Sequence, residues 1–96
     1  MVGSNNLREQ TWQAFRNIDT AMRAAGGNLA DVVSMRIYIV EAKLAESSVI
    51  QEALKAFFPR EIAPATTWIG VRALANPDFL IEIEAIGVIE GGPPNL

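Results

Sequence analysis

The stretch Asp31–Glu41, DVVSMRIYIVE, decides the fold. Val33, Met35, Ile37 and Ile39 alternate with Val32, Ser34, Arg36, Tyr38 and Val40, a period of two rich in β-branched side chains. That pattern is a strand with one face in a core, and Arg36 and Tyr38 mark the other face. The helix upstream and the helix downstream must supply the cover.

Upstream, Leu7, Thr11, Ala14, Phe15, Ile18, Met22 and Ala25 recur at three-to-four spacing, the stripe of an amphipathic helix. Asn5 or Asn6 can cap its start, Gly26-Gly27 can end it, and Asp19 pairs with Arg23 one turn later. Downstream, Ser48–Gln51 reads as a capping box ahead of Val49, Ile50, Ala53, Leu54, Phe57 and Phe58, and Pro59 ends this second helix. Two strands follow. In 66–74, Thr67, Ile69, Val71 and Ala73 oppose Thr66, Trp68, Gly70 and Arg72. In 79–89, Ile81, Ile83, Ala85 and Ile89 point inward against Leu80, Glu82, Glu84, Ile86 and Val88, with Asn76-Pro77-Asp78 as the turn between. The order is α-β-α-β-β. A right-handed crossover makes the first two strands parallel neighbours, the last two are expected to form an antiparallel hairpin, and both helices cover one face of a mixed sheet. The fold class is α+β, a two-layer sandwich in a single domain over 5–90, with 1–4 as start-site or cloning residues and 91–96 as a flexible tail.

The 96 residues suffice for one core, and 50% hydrophobic against 20% charged residues is a globular composition. Neither cysteine nor histidine is present, which excludes disulfides, thiolate chemistry, imidazole bases and metal sites built on thiolate or imidazole ligands. Eleven acidic and eight basic residues give a net charge of −3, and the two lysines and six arginines are scattered singly. A phosphate-gripping surface needs them clustered, so nucleic acid is not an expected partner. No apolar run approaches the ~20 residues of a membrane span, and MVGSNNLREQ lacks the apolar region of a signal peptide. The expected location is the cytoplasm, with no membrane partner.

Three strands under two helices leave one face of the sheet bare. Val32, Tyr38, Val40, Trp68, Leu74, Leu80, Ile86 and Val88 are expected there, more apolar surface than a monomer usually shows. Self-association through that face is the expected resolution.

The runs QTWQAFRNIDTAMRAAG (10–26), DVVSMRIYIVE, ALKAFFP (53–59) and APATTWIGVRAL…IEIEAIGVI (63–89) together resemble the RidA (YjgF/YER057c/UK114) family, over nearly the whole chain and in the same order. The resemblance implies a chorismate-mutase-like fold assembled as a homotrimer, with small-molecule clefts between subunits. It also implies cofactor-free and metal-free hydrolysis of enamines and imines to a 2-keto acid and ammonia. Some members have been labelled ribonucleases, which an acidic chain without a basic groove does not support.

The departures from the family pattern bear on function. The family's N-terminal strands, with part of the cleft, have no counterpart here. Deaminating members carry an arginine after Pro-Ala, where it clamps the substrate carboxylate in a bidentate pair; here Thr66 follows Pro64-Ala65. A hydroxyl donates one hydrogen bond and neutralises nothing. Two residues on, Trp68 narrows the implied cleft, and Arg36 is the candidate replacement cation. Glu82 matches the acidic residue that opens the family's EIEAIA signature, where a carboxylate can position water or accept a proton once burial favours its protonated form. The implied site is thus Glu82 as the catalytic residue, with Thr66, Trp68 and Arg36 binding the ligand. Without the resemblance, Glu82 and Glu84 read as carboxylates on a solvated or interface strand, and Arg36 and Arg72 as their salt-bridge partners. The resulting expectation is a binder of small carboxylate or keto-acid metabolites with weak or no imine hydrolysis; an active deaminase and a non-catalytic assembly module are the alternatives.

Overall fold

The computed structural model describes residues 6–58 and 63–90. Expectations placed on residues 1–4, Asn5, Pro59 and the 91–96 tail lie outside the described residues. Helix α1 spans Leu7–Ala24, and its first turn is closed by Asn6, whose side-chain oxygen accepts the Glu9 backbone N–H at 3.0 Å. At the other end Gly26 adopts φ +93°, so the Gly27 N–H reaches the Met22 carbonyl at 2.9 Å and the Gly26 N–H reaches Arg23 at 3.0 Å. This pair of bonds is a Schellman termination, which favours glycine because a Cβ is strained at that φ. The Asp19–Arg23 ion pair forms at 3.0 Å.

A short 3-10 turn (Leu29–Asp31) feeds strand β1 (Val32–Val40). A second 3-10 segment (Glu41–Glu46) runs directly into helix α2 (Ser47–Phe57), and strands β2 (Ala65–Val71) and β3 (Ile81–Gly87) follow. The expected Ser48 cap is not formed. The preceding 3-10 turns carry the chain into α2, with the Ser47 N–H bonded to Leu44, so Ser48 lies inside the helix and no side chain caps its start. Both later strands are shorter than the alternation suggests, because it continues past their ends at 72–74, 79–80 and 88–89.

The sheet order is β2-β1-β3, with β2 parallel and β3 antiparallel to β1. The parallel crossover through α2 is as expected. The β2–β3 hairpin is not: β1, the most apolar strand, takes the centre, and the chain between Val71 and Ile81 passes its end to reach the far edge. That link is far longer than a tight hairpin loop, and it has only about 10 Å of sheet to cross. The Asn76 turn forms within it, with Asn76 Oδ1 accepting the Asp78 N–H at 2.8 Å. Gln10, buried on α1, holds the link down by donating to the Asp78 carbonyl at 3.0 Å and accepting the Leu80 N–H at 2.8 Å.

Both helices cover one face. Met35, Ile37 and Ile39 of β1 are buried beneath Phe15, Ile50 and Ala53, with Phe58 against the same cluster as Phe15 and Met35. Phe15 meets Phe57 at 5.3 Å and Phe58 at 5.6 Å between ring centroids, distances at which tilted aromatic pairs attract. Thr11 is fully buried, its hydroxyl donating to the Leu7 carbonyl at 2.8 Å, so the core carries no penalty for it.

The alternation misplaces the start of β1. Val32 is buried and Val33 exposed, the reverse of the expected phase, because the β1–β3 register slips between Val32 and Ser34. One extra residue on a bulged strand moves the side chains before it to the opposite face. β2 is also inverted relative to expectation. Thr66 pairs with Met35, and Trp68 with Ile37, so both sit on the helix-covered face, with Trp68 half-buried against the core. A strand with apolar residues in both phases does not announce which face is inward, and here the larger indole takes the core. Val40 and Leu80 are buried as well, while Val33, Ile86 and Val88 are exposed. The apolar residues of the open face are therefore partly different from those the alternation suggests.

Candidate functional site

The open face is organised around Glu84. Cross-strand pairing sets Arg36 opposite Glu84 and Tyr38 opposite Glu82. The Tyr38 hydroxyl leans diagonally and donates to Glu84 Oε1 at 2.6 Å, while the Arg36 guanidinium lies 3.8 Å from the same oxygen. The Glu84 carboxylate, by accepting this hydrogen bond, pushes the Tyr38 pKa above the ordinary tyrosine value; desolvation adds to the shift and Arg36 opposes it. The Arg36–Glu84 pairing is the structural role that the residues alone indicated. Being exposed, it contributes little to stability, about 0–1 kcal/mol.

Glu82 is exposed on the same face, on the strand that borders the sheet. Thr66 lies on the opposite face and the opposite edge. Its hydroxyl donates to the Pro64 carbonyl at 3.1 Å, and it lines a pocket of about 160 Å³ with Leu54, Phe58 and Pro64. With β1 between them and a three-residue offset in register, the two backbones lie roughly 14 Å apart, and their side chains point to opposite sides. Within one protomer the structure joins Thr66 to Trp68 on the covered face and Arg36 to Glu82 on the open face, but it does not join the pairs. No group of three Asp, Glu, His or Cys side chains among the described residues is arranged to hold a metal ion.

A larger groove, about 440 Å³, runs between α1 and the outer edge of β3, with Ala14, Ile18, Ala21, Ile81 and Ile83 on its walls. Sequence reasoning missed this groove, and it missed the Gln10 clamp beside it. The signal for Gln10 was a polar residue placed in phase with Leu7, Thr11 and Phe15.

The family model described as Endoribonuclease L-PSP matches residues 1–89. The chain belongs to the RidA family. Among the RidA-family relatives, a protein of Dermatophagoides farinae named 2-iminobutanoate/2-iminopropanoate deaminase is 33% identical over 84 residues, 88% of this chain and 62% of its own length. A Yersinia pestis structure titled as a Rid-family protein of unknown function, YyfB, superposes with a TM-score of 0.86 at 39% identity, covering 93% of this chain and 67% of that one. The Escherichia coli protein TdcF, solved with bound serine, superposes with a TM-score of 0.78 at 29% identity, covering 88% of this chain and 66% of its own. This RidA-family chain thus spans about two-thirds of the length of the relatives it matches. No described helix is long and apolar enough to cross a membrane.

Proposed function

We propose that this chain is a cytoplasmic, cofactor-free RidA-family protein that assembles as a homotrimer and binds small carboxylate or 2-keto-acid metabolites in clefts between copies, with weak or no imine hydrolysis. The observation that carries the proposal is the position of Thr66. It occupies the place of the family's carboxylate-clamping arginine, and its hydroxyl is already donated to Pro64. Imine hydrolysis adds water to the C=N carbon and expels ammonia, and it is fastest when the substrate carboxylate is held rigidly beside the group that handles the water's proton. Thr66 offers no positive charge for that purpose.

The separation of Thr66 from Glu82 supports a site shared between copies. One protomer would bring its β2 edge, with Thr66 and Trp68, and another would bring Glu82, with Arg36 nearby as the remaining cation. A boundary of that kind would also give Glu82 the burial that its exposed position in one chain lacks. The serine held by the Escherichia coli relative is a small carboxylate of the class proposed. The deaminase name of the mite relative favours the second reading, an active enamine/imine deaminase that uses Glu82 and Arg36.

Light scattering joined to calorimetric titration with pyruvate and with serine tests the proposal. The expected result is a mass of three chains and saturable binding of at least one of the two. A monomer at micromolar concentration would overturn it. Trimers that bind neither compound would point instead to an assembly or regulatory module.

A further inference from the structure

We propose that the pocket beneath β2 selects short-chain carboxylates carrying an O–H or N–H donor on C2, with Lys55 holding the carboxylate and Thr66 accepting from that donor. This rests on the reading that Thr66 lines the binding cleft, and adds to it an anchor and a selectivity. The Thr66 hydroxyl lies 3.1 Å from the Pro64 carbonyl, and a carbonyl only accepts, so the direction of this bond is fixed. The single hydroxyl proton is committed, and what Thr66 has left to offer a ligand is lone pairs, which accept. A keto oxygen on C2 brings no proton to them, whereas a 2-hydroxy or 2-amino group does. To donate to a keto oxygen, Thr66 would have to give up Pro64.

The rest of the pocket fits such a ligand. Its volume is about 160 Å³, close to the roughly 150 Å³ of a cavity that holds a benzene ring, so it has room for on the order of six heavy atoms. Leu54, Phe58, Ala63 and Pro64 make its walls apolar, which suits a short alkyl tail. Lys55, in the last turn of α2, lines the same pocket. It has no ion pair among the described residues, whereas Arg8, Arg23, Arg36 and Lys43 are each held by a carboxylate. Arg36 also lies on the opposite face of the sheet, beside Glu84, so Lys55 supplies positive charge on the Thr66 half of the cleft. An ammonium is a point charge on a flexible stem, not a planar fork. It neutralises a carboxylate without the bidentate grip of a guanidinium, which gives binding without rigid alignment for hydrolysis.

Calorimetric titration of the full chain with 2-hydroxybutanoate, 2-ketobutanoate and butanoate tests the proposal. The hydroxy acid should bind about threefold to tenfold more tightly than the other two, the worth of one hydrogen bond. Thr66→Val, which keeps the shape and removes the hydroxyl, should erase that preference, and Thr66→Ser should retain it. Lys55→Met should weaken binding of all three about tenfold, and Lys55→Arg should restore it. A role for Lys55 confined to the end of α2 would instead lower the thermal midpoint of Lys55→Met and leave its binding intact. That result would overturn the proposal while leaving the cleft reading in place. So would tighter binding of the keto acid, or a preference for the hydroxy acid that survives Thr66→Val. Binding of none of the three compounds would overturn the cleft reading as well.

Discussion

On its helix-covered face the sheet places Met35, Ile37 and Ile39 beneath Phe15, Ile50 and Ala53, all but sealed from water. On its open face the same β1 presents Arg36 and Tyr38 to Glu84, with Ile86 exposed at the rim. One side is held by burial, whose energy scales with the area removed from water. The other is held by exposed charge and hydrogen bonding, which contributes little in one chain and gains weight when a second surface excludes water. The contrast teaches where stability and function reside: substitutions on the covered face should cost folding, and those on the open face should cost assembly and binding.

The largest expected effect is on the covered side. Phe15→Ala removes a fully buried ring and should lower unfolding free energy by about 3–5 kcal/mol, read by urea denaturation at fixed protein concentration. Next comes the rim of the open face. Ile86→Asp should leave the far-ultraviolet circular dichroism unchanged yet weaken self-association roughly thirtyfold, an interface hot-spot loss of about 2 kcal/mol, seen by light scattering across a dilution series. If Ile86→Asp unfolds the chain instead, the two faces do not divide the work as described. Arg36→Ala should change the stability of the isolated chain by less than about 1 kcal/mol.

The smallest effect concerns Tyr38. Its pKa is raised in the folded state by Glu84, so Glu84→Gln should bring the phenol's ultraviolet titration back toward the ordinary value of 10.0. The sign follows from linkage. A folded-state value above the unfolded one contributes stability fully present below pH 10.0 and lost as pH rises through the folded-state value. Glu84→Gln should therefore reduce the alkaline loss of stability, and an unchanged titration would remove Glu84 from its central place on the open face.

How much of this was legible in the sequence follows the range of each interaction. Helix α1 and strand β1 were readable because their signals are local: the stripe from Leu7 to Met22, the glycines after it, and the alternation from Met35 to Ile39. The β2-β1-β3 order was not, since it depends on which strand gains most from two paired edges, a competition that no local period records. The phase of β2 failed for a related reason, because Thr66, Trp68 and Gly70 compete with Thr67, Ile69 and Val71, and only packing against Ile37 decides. The bulge that turns Val32 inward left no mark in a run where both Val32 and Val33 are apolar. For the site, the residue types at 66, 68 and 82 were visible through the family motif. Their placement on opposite faces and edges was not, because it is a property of the assembled sheet. Glu84 read as structural, and its bonds to Arg36 and Tyr38 agree with that, although Tyr38 as its hydrogen-bond partner was not anticipated.

The central claim is that Thr66, standing where an arginine would clamp the carboxylate, leaves binding without efficient hydrolysis. The most direct test generates 2-aminoacrylate from serine with a dehydratase and follows pyruvate formation with this protein and with its Thr66→Arg variant. The account predicts little acceleration by the unaltered protein even at stoichiometric amounts, and a gain of about tenfold to a hundredfold in the variant, the range of a charge-assisted hydrogen bond. Rapid turnover by the unaltered protein at trace concentration, with no gain from Thr66→Arg, would contradict it.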